Sequence, residues 1–368
     1  MRCLGHAANV TERKHTIPIL ANALLEAEDG LLRITGTDLE LAITDQIEAT
    51  IDKPGRATMP ARLVHDMISK LPEKAMVYLE TDAANDRIVI TAGRFNTSVV
   101  SLPVEDFPAM SGGASGVTFK LPGATLRKII DRTRCAIATD ETRYYLNGFY
   151  LHTAGARDSR TLRAVATDGH RLALIDVPLP ERLEGVEFPG VIVPRKTALE
   201  LRRLLDDNVV DVTLTISETR FTMATESATL RSKLVDGTFP QYEAVIPAPG
   251  ESIITLDRTE LVATLSRVAA VASERSRAIS LENRDGSVEV ACHAADAGSA
   301  SEFLDPSKAE VSGCRDGFRI GFQARYVQEA AEQFAGKMRL HVGDGNMAVR
   351  IDDTEQPEYL HVLMPMRV

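Results

Sequence analysis

Residues 164–174 read AVATDGHRLAL, and residues 34–43 read ITGTDLELAI. Each is an apolar run, a Thr-Asp pair and a second apolar run, which predicts strand, tight turn and strand. The Thr-Asp pairs lie 167 − 37 = 130 residues apart. A similar offset recurs in TMPARLVHDMISKLP at 58–72 and IVPRKTALELRRLLD at 192–206, whose prolines Pro60 and Pro194 are 194 − 60 = 134 apart. Both predict a strand ending in proline at the start of a helix, where a missing N–H costs nothing. IGFQARYVQEAAEQFAG at 320–336 is a third copy without the proline.

A further element opens each repeat. TFKLPGATLRKIIDRTRCAIATDETRYYLNGFYLHT at 118–153 parallels TLDRTELVATLSRVAAVASERSRAISLEN at 255–283 and, in shorter form, the N-terminal MRCLGHAANVTERKHTIPILANALLEA. Leu126, Ile129, Ile130 and Ile137 fall on one side at helical spacing, as do Leu261, Leu265 and Val268. LPVEDFPAM at 102–110, LVDGTFPQYEAVIP at 234–247 and the terminal HVLMPMRV mark the ends. A period this long means duplicated domains, since solenoid repeats run to only ~20–50 residues. The expected fold is α+β: three similar domains at 1–112, 117–241 and 242–368, each with two helices packed on antiparallel sheets.

Composition narrows the function. With 44% apolar and 26% charged residues the chain is an ordinary globular protein. It has no apolar run long enough to span a bilayer and no export signal at its start, so a cytoplasmic protein with no membrane partner is expected. Four cysteines without C-x-x-C spacing offer no zinc site, and no other metal or cofactor is expected. The lack of Trp and the 5% aromatic content argue against a base-stacking platform for single strands. A net charge of −10 excludes a protein that coats nucleic acid with its whole surface, but not a local basic face.

Asp168 and His170 could be read as a hydrolase pair. Their close spacing on a strand–turn–strand segment gives no relay, and no nucleophile accompanies them. A turn explains the residues better, with Asp168 accepting backbone N–H bonds, Gly169 supplying a permissive φ, and His170 and Arg171 partly exposed. No phosphate loop of the G-x-x-x-x-G-K-[ST] form occurs, no G-x-G-x-x-G follows a strand and no H-E-x-x-H is present, so no enzyme is expected. Basic residues recur on equivalent predicted helices: Arg127, Lys128, Arg132 and Arg134; Arg195, Lys196, Arg202 and Arg203; Arg13, Lys14, Arg62 and Lys70; Arg258, Arg267 and Arg325. Any one helix could simply be a solvated face. The recurrence points to a common basic surface suited to phosphates without sequence readout. The C-terminal YLHVLMPMRV fits an edge strand closing the last sheet, with a flexible, Met-rich tail suited to varied partners.

Through HTIPILANALLEAEDGLLRITGTDLE, YYLNG, ATDGHRLAL, IVPRK, SKLVDGTFPQY, IGFQARY and MPMR, in order along nearly the whole chain, the sequence resembles the bacterial DNA polymerase III β subunits, the DNA sliding clamps. The resemblance implies a head-to-tail homodimer forming a ring around duplex DNA. The ring would tether the polymerase III α subunit, the clamp loader, other polymerases and repair proteins. It also implies a peptide-binding pocket of Leu146, Thr167, Gly169, His170, Arg171 and Leu172, with Pro240 and Val245 from the linker. Gln323, Tyr326 and Asn346 would add a third-domain side, and Val362, Leu363, Met364, Pro365, Met366, Arg367 and Val368 the C-terminal wall. Lys14, Lys70, Arg127, Lys128, Arg132, Arg195, Lys196, Arg202, Arg203, Arg267 and Arg325 would face DNA.

At the subunit contact the resemblance places Phe107 against Ala270 and Val271. HAADAGSASEF carries little charge there, so apolar packing and strand pairing are expected to dominate over ion pairs. The first strand and the start of the first helix usual in the family are missing before MRCLGH, so either the chain's start is placed late or the first domain's sheet lacks one strand. That shortened start and the altered dimer edge also motivate an alternative, a specialised paralogous clamp for repair, resistance or a mobile element.

Overall fold

The computed structural model describes residues 1–11, 16–82, 84–108, 116–156, 160–180, 183, 190–205, 209–272, 277–295 and 297–368. In the first repeat, helix α1 (Arg2–Val10) precedes strands β1 (Asn22–Glu28), β2 (Leu31–Thr37), β3 (Leu41–Glu48) and β4 (Gly55–Pro60). Helix α2 (Ala61–Ile68) and strands β5 (Tyr78–Asp82), β6 (Arg87–Ala92) and β7 (Phe95–Val100) follow. The second repeat runs β8 (Val117–Pro122), α3 (Gly123–Thr133), β9 (Gly148–Ala154), β10 (Thr161–Thr167), β11 (Arg171–Pro178), β12 (Val191–Pro194) and α4 (Arg195–Leu204). It closes with β13 (Asp211–Ile216), β14 (Arg220–Ala224) and β15 (Ala228–Lys233). The third contains β16 (Ile253–Asp257), α5 (Arg258–Val268), β17 (Ala278–Arg284), β18 (Ser287–Ala294), β19 (Gly298–Phe303) and β20 (Ala309–Ser312). It ends with β21 (Arg319–Gln323), α6 (Ala324–Ala331), β22 (Lys337–His341), β23 (Val349–Asp352) and β24 (Tyr359–Leu363). The order strand, helix, four strands, helix, three strands recurs, with β20 as an insertion in the third copy and no described strand ahead of α1. None of these helices is long and apolar enough to cross a membrane.

By contact the chain parts into two compact units, one of Met1–Arg127, Pro180–Pro189 and Lys196–Leu234, the other of Lys128–Leu179, Gly190–Arg195 and Val235–Val368. The first unit holds an eight-stranded sheet, β4-β1-β2-β3-β15-β14-β13-β8, and a three-stranded sheet, β5-β6-β7. The second holds a nine-stranded sheet, β12-β9-β10-β11-β24-β23-β22-β16-β20, and a four-stranded sheet, β19-β18-β17-β21. Each long sheet is made where two repeats join: β3 pairs antiparallel with β15, Ile43 opposite Leu230, and β11 with β24, Ala173 opposite His361.

This pairing corrects the reading of the C-terminus. Strand β24 is not an edge strand. It lies between β11 and β23, and all five of its residues are buried. A sequence shows that a strand is apolar but not which distant strand will flank it.

Local chemistry accounts for the elements. Helix α1 buries Cys3, Leu4, Ala7 and Ala8, an apolar stripe at helical spacing, against Leu25, Ile34, Met59 and Val64. Helix α3 stops at Thr133 and tightens into a 3₁₀ turn over Arg134–Ala136, so Ile137 is buried just beyond the helix rather than on its face. Pro60 stands at the N-cap of α2, one position before the expected first helical residue, and Asp257 caps α5 by accepting the Glu260 N–H. Strand β5 is an open edge with Tyr78 and Leu79 exposed, whereas β8 and β16 cover the corresponding strands β13 and β22.

A candidate peptide-binding groove and basic helices

The Thr-Asp repeat folds the same way twice. Thr167 Oγ1 donates to the Arg171 carbonyl at 2.7 Å and accepts the Gly169 N–H at 3.1 Å. Thr37 Oγ1 donates to the Leu41 carbonyl at 3.0 Å and accepts the Leu39 N–H at 3.1 Å. Asp168 Oδ1 accepts the N–H groups of His170 and Arg171, and Asp38 Oδ1 those of Glu40 and Leu41. The third residue takes a left-handed φ in both turns, +87° at Gly169 and +77° at Leu39. Glycine adopts this angle without the strain a side chain incurs. The carboxylate of Asp168 is thus committed to shaping a turn, and among the described residues its hydrogen bonds include no nucleophile.

Strand β11 carries the turn into the second unit's long sheet and fixes what stands beside it. His170 and Gly169 are exposed, but Arg171, expected to be partly exposed, is buried. Its Nε donates to Asp168 Oδ2 at 3.1 Å and its Nη1 to Glu329 Oε2 at 2.5 Å, while its guanidinium lies 4.3 Å from the centre of the Tyr326 ring. Burial works against the charge of Arg171, but the hydrogen bond and charge of Glu329 outweigh it and hold its pKa above the ordinary value. The same pair depresses Glu329: burial opposes ionisation, and Arg325 and Arg171 overcome it. The His170 ring stacks on Tyr326 at 6.3 Å.

Beneath these groups Leu146, Leu172, Leu360 and Val362 form one apolar cluster with Phe239 and Tyr242, and Ala348 packs against it. Leu363 is buried in β24. The chain then turns outward. Met364 donates its N–H to the His170 carbonyl at 2.9 Å, and Met366 donates its own to the Gly321 carbonyl at 2.8 Å. Pro365 is half-buried, while Met364, Met366, Arg367 and Val368 are exposed. Pro240 and Val245 are exposed on the segment that contributes Phe239 and Tyr242. Gln323 stands at the N-cap of α6 without capping it, and its Oε1 is buried with no hydrogen-bond partner among the described residues. Asn346 is exposed in the turn between β22 and β23, two residues from Ala348, with its N–H bonded to Asp344. The result is an apolar floor rimmed by flexible methionines, an aromatic ring and a few fixed polar groups, which suits an extended peptide with apolar anchors.

Sequence reasoning missed Glu329 and Gly321. The i,i+4 spacing of Arg325 and Glu329, which pair at 2.7 Å, was a usable signal for the first.

Three family profiles match the chain: the DNA polymerase III beta subunit N-terminal domain at 1–111, central domain at 120–241 and C-terminal domain at 243–367. The chain belongs to the DNA polymerase III beta subunit family, the sliding clamps. The beta sliding clamp of Caulobacter vibrioides is 41% identical over 369 residues, covering 100% of this chain and 97% of the relative. That of Pseudomonas putida is 34% identical over 370 residues with the same coverage. Among solved structures, the DnaN sliding clamp of Bartonella birtlesii bound to griselimycin matches with a TM-score of 0.93 and 37% identity, covering 100% of this chain and 96% of that one. A Caulobacter crescentus clamp with polyethylene glycol bound matches at 0.92 and 40%, with the same coverage.

The basic residues of this clamp are less free than the sequence implies. Lys128 pairs with Glu358 at 2.6 Å, Arg132 donates to Gln356 and lies over the Tyr359 ring, and Lys196 pairs with Asp38 at 2.5 Å. Arg203 pairs with Glu200, Arg267 with Glu302 and Arg325 with Glu329. Lys70, just past α2, and Arg195, opening α4, are exposed, and Arg127 and Arg202 are half-buried on α3 and α4. Lys14 lies outside the described residues. Of the expected subunit-contact residues, Ala270 is exposed and Val271 half-buried in the turn after α5. Phe107 is buried among Ile19, Leu20 and Leu24 of its own domain, which leaves little of its ring for a partner.

Proposed function

We propose that this sliding clamp works in the cytoplasm as a non-catalytic homodimeric ring that encircles duplex DNA and holds partner proteins by short peptides in the Thr167–Arg171/C-terminal groove. One observation carries the ring. Both inter-repeat junctions join the third strand after the first helix of one repeat to the last strand of its neighbour, β3 to β15 and β11 to β24, leaving β19 and β7 as edges of the same two kinds. The same rule applied between copies sets β19 of each subunit beside β7 of the other, and two such junctions close a ring. Six similar domains result, with the turn that carries Ala270 packed beside β19, and the described members of the DNA-facing set lie on helices and at their ends.

Surface ion pairs such as Lys128–Glu358 contribute only ~0–1 kcal/mol, so phosphates can exchange with the acids at little cost. Enclosure supplies retention, and a weak contact that ignores sequence permits sliding.

The partners are the polymerase α subunit, the clamp loader and other polymerases and repair proteins. Each offers an extended segment with a glutamine and aliphatic or aromatic anchors, and griselimycin is expected to compete for the groove. Calorimetry with such a peptide tests the docking reading. Met364→Ala, or deletion of 364–368, is expected to weaken binding by ~1–3 kcal/mol while the dimer persists. Unchanged affinity would put the peptide site elsewhere.

A further inference from the structure

The last five residues are seated by one missing side chain. Strand β21 pairs on one side with β17, Gly321 opposite Ser280, and on its other side makes a single antiparallel bridge, Gly321 to Met366. The Met366 N–H donates to the Gly321 carbonyl at 2.8 Å, and two residues earlier the Met364 N–H donates to the His170 carbonyl at 2.9 Å. The tail is therefore tied at two points, to the Thr167–Arg171 turn and to β21. Gly321 has no left-handed φ, so its backbone would accept any residue. The space beside it would not. A Cβ built on Gly321 falls 2.4 Å from Val368 Cγ1 and 2.6 Å from the Met366 carbonyl oxygen. The Val368 side chain could swing away, but the Met366 oxygen is backbone, and moving it breaks the bridge.

We infer that Gly321 is a positioning residue of the groove: its bare α-carbon lets residues 364–368 lie against β21, and that seat holds Met364 and Met366 where a docked peptide meets them. Gly321 itself need not touch the peptide. The inference rests on the peptide-docking reading, but the seat can be measured without a peptide.

In the full-length protein, Gly321→Ala keeps the strand backbone and displaces only the tail. Timed digestion with carboxypeptidase, followed by mass spectrometry, is expected to release Val368 from Gly321→Ala roughly tenfold faster than from the wild type, with the melting profile retained. Polarisation with a fluorescein-labelled peptide carrying one glutamine, two leucines and a phenylalanine is expected to show affinity reduced about fivefold to tenfold. Gly321→Ser, which also adds a Cβ, is expected to behave alike. Should Gly321→Ala unfold, Met366→Pro tests the seat from the other side, by removing the N–H of the bridge. Equal rates of Val368 release from wild type and variants would overturn the inference. Faster release with unchanged peptide affinity would overturn the link between seat and docking. A wild-type protein that fails to bind the peptide, yet shows the difference in release, would instead count against the docking reading alone.

Discussion

Arg171 on β11 and Glu329 on α6 meet at 2.5 Å, and this contact ties the turn that lines the proposed groove to the helix that carries Tyr326. A buried arginine deprived of its nearest acceptor is costly, because the remaining charge has lost both solvent and partner. Glu329→Ala leaves Asp168 as the one carboxylate paired with Arg171 among the described residues, beside the Tyr326 ring, and is expected to lower stability by about 1–3 kcal/mol in urea denaturation. Glu329→Gln, which keeps an acceptor, is expected to lose less. Equal stability of Glu329→Ala and wild type would mean that solvent compensates the pair.

The two Thr-Asp turns give a paired test. Thr37→Val and Thr167→Val each remove one hydroxyl bond to a carbonyl and one from an N–H at nearly constant volume. Each is expected to cost about 1–2 kcal/mol, measured by chemical denaturation. Thr167→Val is also expected to weaken peptide binding, whereas Thr37→Val is not. Two very different stability losses would show that the matching hydrogen bonds are not energetically equivalent.

Acid sensitivity has an identifiable source at His361. Burial, with the Arg171 charge acting in the same direction, pushes its pKa from 6.5 down to about 3. Between those values the unfolded chain binds a proton that the folded chain refuses, so stability falls as pH drops below 6.5, by at most about 1.4 kcal/mol per pH unit from this group. His152, also held below its ordinary value by burial, adds to the slope in the same direction. His361→Gln is expected to flatten, without abolishing, the decline in stability between pH 6.5 and 5. An unaltered slope would mean that His361 is protonated in the folded protein at no cost.

The subunit contact is expected to rest on strand pairing and apolar packing, since Glu302, the acid on β19, is already engaged by Arg267 at 2.6 Å. Sedimentation velocity across rising salt is expected to show a nearly constant dimer fraction, whereas Ala270→Glu shifts it to monomer by burying an unpaired charge. Steep dissociation as salt rises through ~0.15 M would reverse that weighting.

Much of the fold was legible because the repeat is written in residues with strict local demands. Thr37 and Thr167, Asp38 and Asp168, and Pro60 and Pro194 each report a turn or a helix start whose hydrogen bonds lie within a few residues. What stayed hidden depends on distant partners. Nothing near Arg171 announces that Glu329, far along the chain, will allow it to be buried. Nothing in YLHVL distinguishes an edge strand from one flanked by β11 and β23. Gly321 looks replaceable until Met366 and Val368 are seen against it. For the same reason the basic residues could be found by recurrence, but the acids that engage Lys128, Lys196 and Arg267 could not.

The central claim, retention on DNA by enclosure, is tested most directly on paired substrates. The protein is loaded by its clamp loader onto closed circular duplex DNA, separated by gel filtration, and followed before and after a single cut linearises the circle. The expected result is a complex that persists on the closed circle and is lost by sliding off the linear ends. Equal retention on circular and linear DNA would contradict the account, because binding would then reside in contacts rather than in the ring.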